Sequence, residues 1–227
     1  MTTANWIELR AADGHSLGAY VCSPDGPPKA GLIVIQEVFG VNSHIQSVVR
    51  DYAEQGYLAV APRFFDRIGN DIQLGYTQPD VDRGLACTRQ LDWADTRLDI
   101  EAAFDFLSPD LPVAIVGYCW GGTTTWQAAA HVSGLRAAVC YYGGGIPAQS
   151  GLEPLCPVLL HWGENDPLIP LESSRAFIAQ HPETESHFYP VGHGFNCDQR
   201  DSYDAESARI ARERTLAFLA RHVPQKN

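Results

Sequence analysis

Five short apolar runs recur along this chain: Gly31–Ile35, Tyr57–Ala61, Val113–Val116, Ala137–Tyr141 and Val158–His161. None alternates polar with apolar residues, so none reads as a strand with one face in water. Runs of this length and composition are strands buried on both faces, the mark of a parallel sheet covered by helices. Helical stretches fall between most of them. Asn42 is placed to cap a helix from Ser43 to about Gln55, which Gly56 ends. Further helices are expected over Asp92–Leu107, Trp120 to about Val132, Pro170–Ala179 and roughly Tyr203–His222.

Two more strands precede this alternation. Trp6–Leu9 and Leu17–Val21 flank Asp13-Gly14, a hairpin signal, and make an antiparallel start to the sheet. Ser186–Tyr189 is shorter and more polar, as an edge strand would be. The stretch from Pro62 to Gly84 shows no clear element and reads as a long functional loop. The fold class is therefore α/β, with a mostly parallel central sheet and helices on both faces. Residues 1–227 are expected to form one domain, since no linker, repeat or low-complexity tract interrupts them.

Charge narrows the partners. The chain carries 16 Lys and Arg against 27 Asp and Glu, a net −11 with neutral histidines. Such a surface repels nucleic acid and anionic membranes, so neither is an expected partner. The N-terminal segment lacks a charged and then apolar leader, and no apolar run is long enough to span a bilayer. Six cysteines are scattered without CxxC spacing, which fits reduced thiols in a cytoplasmic protein. A monomer or weak dimer is expected.

The third buried run leads directly into chemistry. Gly117-Tyr118-Cys119-Trp120-Gly121 has the form G-x-nucleophile-x-G, with a strand before it and a helix after. Small neighbours let the backbone make a sharp turn that lifts the central side chain above the sheet. The following helix N-terminus favours negative charge on the sulfur. Such an elbow needs an acid and then a histidine later in the chain. Asp166, before Pro167 and just past the last central strand, is the favoured candidate for the acid, with Glu164 as the competitor. His193, between Gly192 and Gly194, follows the edge strand. His161 and His131 read as structural, and His15, His44, His181, His187 and His222 have no motif around them.

Two backbone N–H groups should hold a developing oxyanion: Trp120, after the nucleophile, and Val38, in the loop after the first central strand. Glu37 beside Val38 is a carboxylate at the tip of a buried run. It demands a partner, either the thiol or an arginine. Phe39, Tyr76 and Phe195 are candidate substrate contacts, and Trp120, Phe64 and Phe65 hint at an apolar pocket.

Taken together, IQEVFGVN, APRFF, GYCWGG, HWGENDPLIP and GHGF, in that order over almost the whole chain, resemble the dienelactone hydrolase family of the α/β-hydrolase superfamily. The resemblance implies a Cys119, His193, Asp166 triad and a glutamate, Glu37, that contacts the resting thiol and tunes it. It also implies a small-molecule ester or lactone substrate of the carboxymethylenebutenolidase type, a thioester acyl-enzyme, and neither metal nor cofactor. One position departs from the family pattern. Well-studied members bind the substrate carboxylate with an arginine four residues after the histidine, and here that residue is Cys197. A second family arginine falls within 62–84, where Arg63, Arg67 and Arg83 are the candidates. Acyl transfer or thioester cleavage on the same elbow, and a non-catalytic thiol redox sensor, are the alternative readings.

Overall fold

A computed structural model of the chain describes residues 1–223. Its strands are β1 (Thr3–Arg10), β2 (Ser16–Ser23), β3 (Ala30–Ile35), β4 (Tyr57–Pro62), β5 (Val113–Tyr118), β6 (Ala138–Tyr141), β7 (Val158–Gly163) and β8 (Glu185–Tyr189). They form one eight-stranded sheet in the order β1-β2-β4-β3-β5-β6-β7-β8. The hairpin β1–β2 joins antiparallel to β4, and every pairing from β4 to β8 is parallel. Every residue of β3, β5, β6 and β7 is buried, as strands covered on both faces require. At the rims the pattern changes: β1 is mostly exposed and β8 only partly buried.

The helices are α1 (Ser43–Glu54), α2 (Gln78–Thr88), α3 (Trp93–Leu107), α4 (Trp120–His131), α5 (Leu171–Gln180) and α6 (Ala205–His222). Asn42 caps α1, its side chain accepting from the Ile45 N–H, and Asp92 does the same for α3 through Ala94. These satisfy donors that a helix start would otherwise leave unpaired.

The segment from Pro62 to Gly84 is not the unstructured loop its sequence suggested. It holds a 3₁₀ turn over Phe64–Arg67 and the first half of α2. Thr77 and Asp80 form a reciprocal capping box with Pro79 in the first turn, so the helix start was written locally. Phe64 and Phe65 are fully buried, which makes them core residues and not pocket lining. The segment closes over the β3–α1 loop at two points. A Cβ on Gly40 would lie 2.2 Å from the Ile72 carbonyl oxygen, and one on Gly84 would lie 2.2 Å from that of Val38. Only glycine permits backbones this close.

Candidate active site

The sheet's parallel half brings four chain segments to one edge. Glu37 and Val38 follow β3, Cys119 follows β5, Asp166 follows β7 and His193 follows β8. These are neighbouring strand ends apart from the intervening β6, and this carboxyl edge is where open α/β sheets place their ligands.

Cys119 sits at the turn from β5 into α4 with φ 56° and ψ −116°, a conformation a side chain rarely adopts. The flanking glycines explain how it is held there. A Cβ on Gly117 would lie 2.0 Å from the Gly121 carbonyl oxygen, and one on Gly121 would lie 2.4 Å from that of Gln36. The Cys119 N–H donates to the Tyr141 carbonyl, and the Cys119 carbonyl accepts from Gly122 and Thr123. The thiol is thus anchored by backbone on both sides and half-buried.

From the sulfur a hydrogen-bonded line runs inward. His193 Nε2 is 3.0 Å from Cys119 Sγ, and His193 Nδ1 is 2.8 Å from Asp166 Oδ2. The other Asp166 oxygen accepts from the Leu168 N–H at 2.8 Å, which fixes the carboxylate. Both His193 and Asp166 are buried, whereas Glu164, the competing acid, is exposed. Burial pushes the His193 imidazole down, but the charge on Cys119 and the bonds to Asp166 and Cys119 outweigh it. The net result is a pKa raised to about 10. The imidazole therefore keeps its proton through neutral pH, bonded to Asp166 on one side and facing the Cys119 sulfur on the other.

Trp120 is the first residue of α4, so its N–H has no acceptor within the helix. Val38 lies in the turn after β3, outside any strand pairing. These are the two N–H groups expected to face a substrate oxygen.

Glu37 is 1% exposed, and neither carboxylate oxygen accepts a hydrogen bond. Its ion partner is Arg200, with Nη1 3.6 Å from Glu37 Oε1. Of the two partners expected for Glu37, the arginine is the one found. Arg200 lies seven residues after His193, in a loop folded back on itself by Cys197 N–H to Gly194 and Arg200 N–H to Cys197. It reaches the site by lying across Gly194, where any Cβ would clash with its guanidinium. Its guanidinium also covers the Phe39 ring at 5.7 Å. Of the three arginines considered from the sequence, Arg83 is exposed on α2 and the other two are otherwise engaged. Arg67 forks onto Asp99 and also meets Asp13 and Asp95. Arg63 pairs with Asp66 and Asp71.

Among the candidate substrate contacts, Phe39 and Tyr76 stack edge-on at 4.6 Å, with Leu74 and Val38 beside them. Phe195 departs from its expected role. It is fully buried among Tyr141, Tyr142 and Tyr189, so it is part of the core beneath the site. Cys197, at the family arginine position, is also fully buried. Desolvation, with Glu37 nearby, pushes its thiol up to about 12.

The Glu37–Arg200 pair yields one expectation for stability. Arg200→Met leaves a buried carboxylate without its cation and should cost about 3 kcal/mol in urea unfolding. Adding Glu37→Gln should recover most of that loss. If both single and double variants unfold like wild type, the ion pair carries no coupling.

With this geometry in place, comparison with known proteins is decisive. Residues 17–223 match the model of the dienelactone hydrolase family. The chain belongs to the dienelactone hydrolase family. A Pseudomonas putida protein named carboxymethylenebutenolidase is 31% identical over 225 residues, covering 94% of this chain and 95% of its own. A Yersinia pestis relative described as a candidate carboxymethylenebutenolidase is 33% identical over 232 residues, covering 93% and 86%. The crystal structure of a candidate dienelactone hydrolase from Klebsiella pneumoniae superposes with a TM-score of 0.83 at 29% identity, covering 97% and 99%. This member of the family is thus a hydrolase of the dienelactone hydrolase kind, with the α/β-hydrolase fold and a small-molecule ester or lactone substrate. Among the described residues no helix is long and apolar enough to cross a membrane.

Proposed function

We propose that this hydrolase cleaves small carboxylic esters or lactones through a Cys119 thioester. The observation carrying the reading is the continuous line Cys119–His193–Asp166 at 3.0 and 2.8 Å. Cys119 sulfur attacks the carbonyl carbon, and the carbonyl oxygen becomes an oxyanion held by the Val38 and Trp120 N–H groups. His193 gives its proton to the departing alkoxide, or to the enolate of an opened lactone. Asp166 keeps the imidazole in the orientation that permits the transfer. Water, deprotonated by the now neutral His193, then attacks the thioester, releasing the acid and restoring the thiolate and imidazolium.

Glu37 acts through its pairing with Arg200. Tied to the guanidinium, it leaves the sulfur to His193 and balances a buried cation beside the reacting carbon. Arg200 fits a substrate that itself bears a carboxylate, which is the chemistry implied by the relatives named carboxymethylenebutenolidase. Residues 1–227 act as one catalytic domain in this reading, in the cytoplasm and without a metal or cofactor.

Hydrolysis of dienelactone, a methyl ester and a p-nitrophenyl ester across pH tests the proposal. For the methyl ester kcat/KM should hold through neutral pH and fall as pH rises through about 10, where the His193 proton is lost. The p-nitrophenyl ester, whose leaving group needs no proton, should fall less. Absence of turnover for all three overturns the reading, and an equal fall for both esters overturns the proton transfer.

A further inference from the structure

The loop that carries His193 also brings together a cluster of metal-ligating side chains that the hydrolytic chemistry does not use. His44 stands in the first turn of α1, and Cys197 and Asp198 are adjacent in the loop after β8. An imidazole nitrogen, the Cys197 sulfur and an Asp198 oxygen all lie within 4.8 Å of one another. It is the one such cluster among the described residues. We propose that His44, Cys197 and Asp198 form a site for a borderline transition-metal ion of the Zn²⁺ type.

Three features carry this. First, the spacing is close to coordination. His44 Nδ1 and Asp198 Oδ1 are 3.0 Å apart. Metal–ligand bonds of roughly 2.0–2.3 Å place tetrahedral ligand atoms roughly 3.3–3.8 Å from each other. The cluster needs only small adjustments to close on an ion. Second, His44 is 3% exposed and its ring is fixed at one nitrogen, with Nδ1 bonded to Asp198. Nε2 has no hydrogen-bond partner and so does not hold the ring against the small rotation that would turn Nδ1 onto an ion. A buried ring nitrogen left unpaired is costly in a settled core. Third, the site has an entrance. Asp198 is exposed, and it lines with His44, Asp51, Asn196 and Arg212 a cavity of about 410 Å³ between α1 and α6.

The donor set selects the ion class. Sulfur and imidazole favour zinc and its neighbours over magnesium or calcium, which take oxygen ligands. Three protein ligands leave a fourth position for water on the cavity side. Binding exchanges protons in a defined way: the Cys197 S–H proton leaves to solvent as the sulfur–metal bond forms. The Tyr76 hydroxyl, whose interaction with the thiol works against the rise in the thiol's pKa, accepts from Asn42 Nδ2 at 3.0 Å and keeps that bond when the sulfur turns to the ion. Glu37 adds negative charge close to the sulfur, and Arg200 opposes it.

The test must keep metal off the catalytic thiol, so it uses the full chain carrying Cys119→Ala. Dialysed against Zn²⁺, this protein should retain one equivalent per chain. His44→Ala or Asp198→Asn, added separately, should weaken binding at least about 100-fold while leaving the thermal transition within reach of the parent. With Co²⁺, a thiolate charge-transfer band should appear and vanish in Cys197→Ser. Retention of no metal by the Cys119→Ala protein overturns the proposal. Equally, so does binding that is indifferent to both His44→Ala and Asp198→Asn.

Discussion

Replacing Cys119 with alanine is expected to lower p-nitrophenyl acetate hydrolysis by about 10³-fold or more, with the thermal transition unchanged. The size follows from removing the only atom that forms a bond to the substrate, which in triad enzymes leaves only binding and oxyanion stabilisation. The unchanged stability follows from the backbone. Alanine meets the same steric cost as cysteine at φ 56°, and the half-buried sulfur contributes little packing. Mass spectrometry gives the complementary result: wild type should gain one acetyl group on the peptide containing Cys119, and the variant none. Near-wild-type turnover by the alanine protein would refute the nucleophile assignment.

The second large effect concerns the glycines that make the elbow. Gly117→Ala should destabilise the protein by at least about 4 kcal/mol, enough to remove most soluble folded material. Its Cβ would sit 2.0 Å from the Gly121 carbonyl and 2.4 Å from Thr125 Oγ1, so backbone must move. Gly121→Ala meets the Gln36 and Ile35 carbonyls at 2.4 and 2.6 Å and should behave alike. Gly151→Ala is the control, since nothing lies within 4 Å of its added carbon. Chemical denaturation of the three variants checks the ordering, and a Gly117→Ala protein as stable as Gly151→Ala would contradict the packing described.

Much of this architecture was legible before any coordinates because burial on both faces leaves an unmistakable composition. Gly31–Ile35 and Val113–Val116 contain no polar residue, and a strand in the middle of a parallel sheet tolerates none. The meeting of Cys119, Asp166 and His193 was legible because each follows a strand and the fold brings those strand ends to one edge. What escaped was of two kinds. The helix α2 carries Asp80, Asp82 and Arg83 with few apolar residues, so its periodicity is weak, although Thr77 and Asp80 marked its start. Arg200 escaped for a different reason. Its approach depends on the folded path of 194–204, and nothing local to Asp198-Gln199-Arg200 says that its side chain crosses Gly194 to meet Glu37, 163 positions earlier in the chain. Phe195 misled because it stands two residues after His193, while its own ring completes the core below.

The contacts of Gly40 with Ile72 and of Gly84 with Val38 have a mechanical consequence. The stretch 36–42 is gripped from two sides by backbone that side-chain rotation cannot relax. Swinging α2 outward would remove the wall packed against the Val38 backbone and release the amide expected to hold the oxyanion. Room beside Phe39 is therefore expected to come at lower cost from trimming Tyr76 than from loosening the 72–84 backbone.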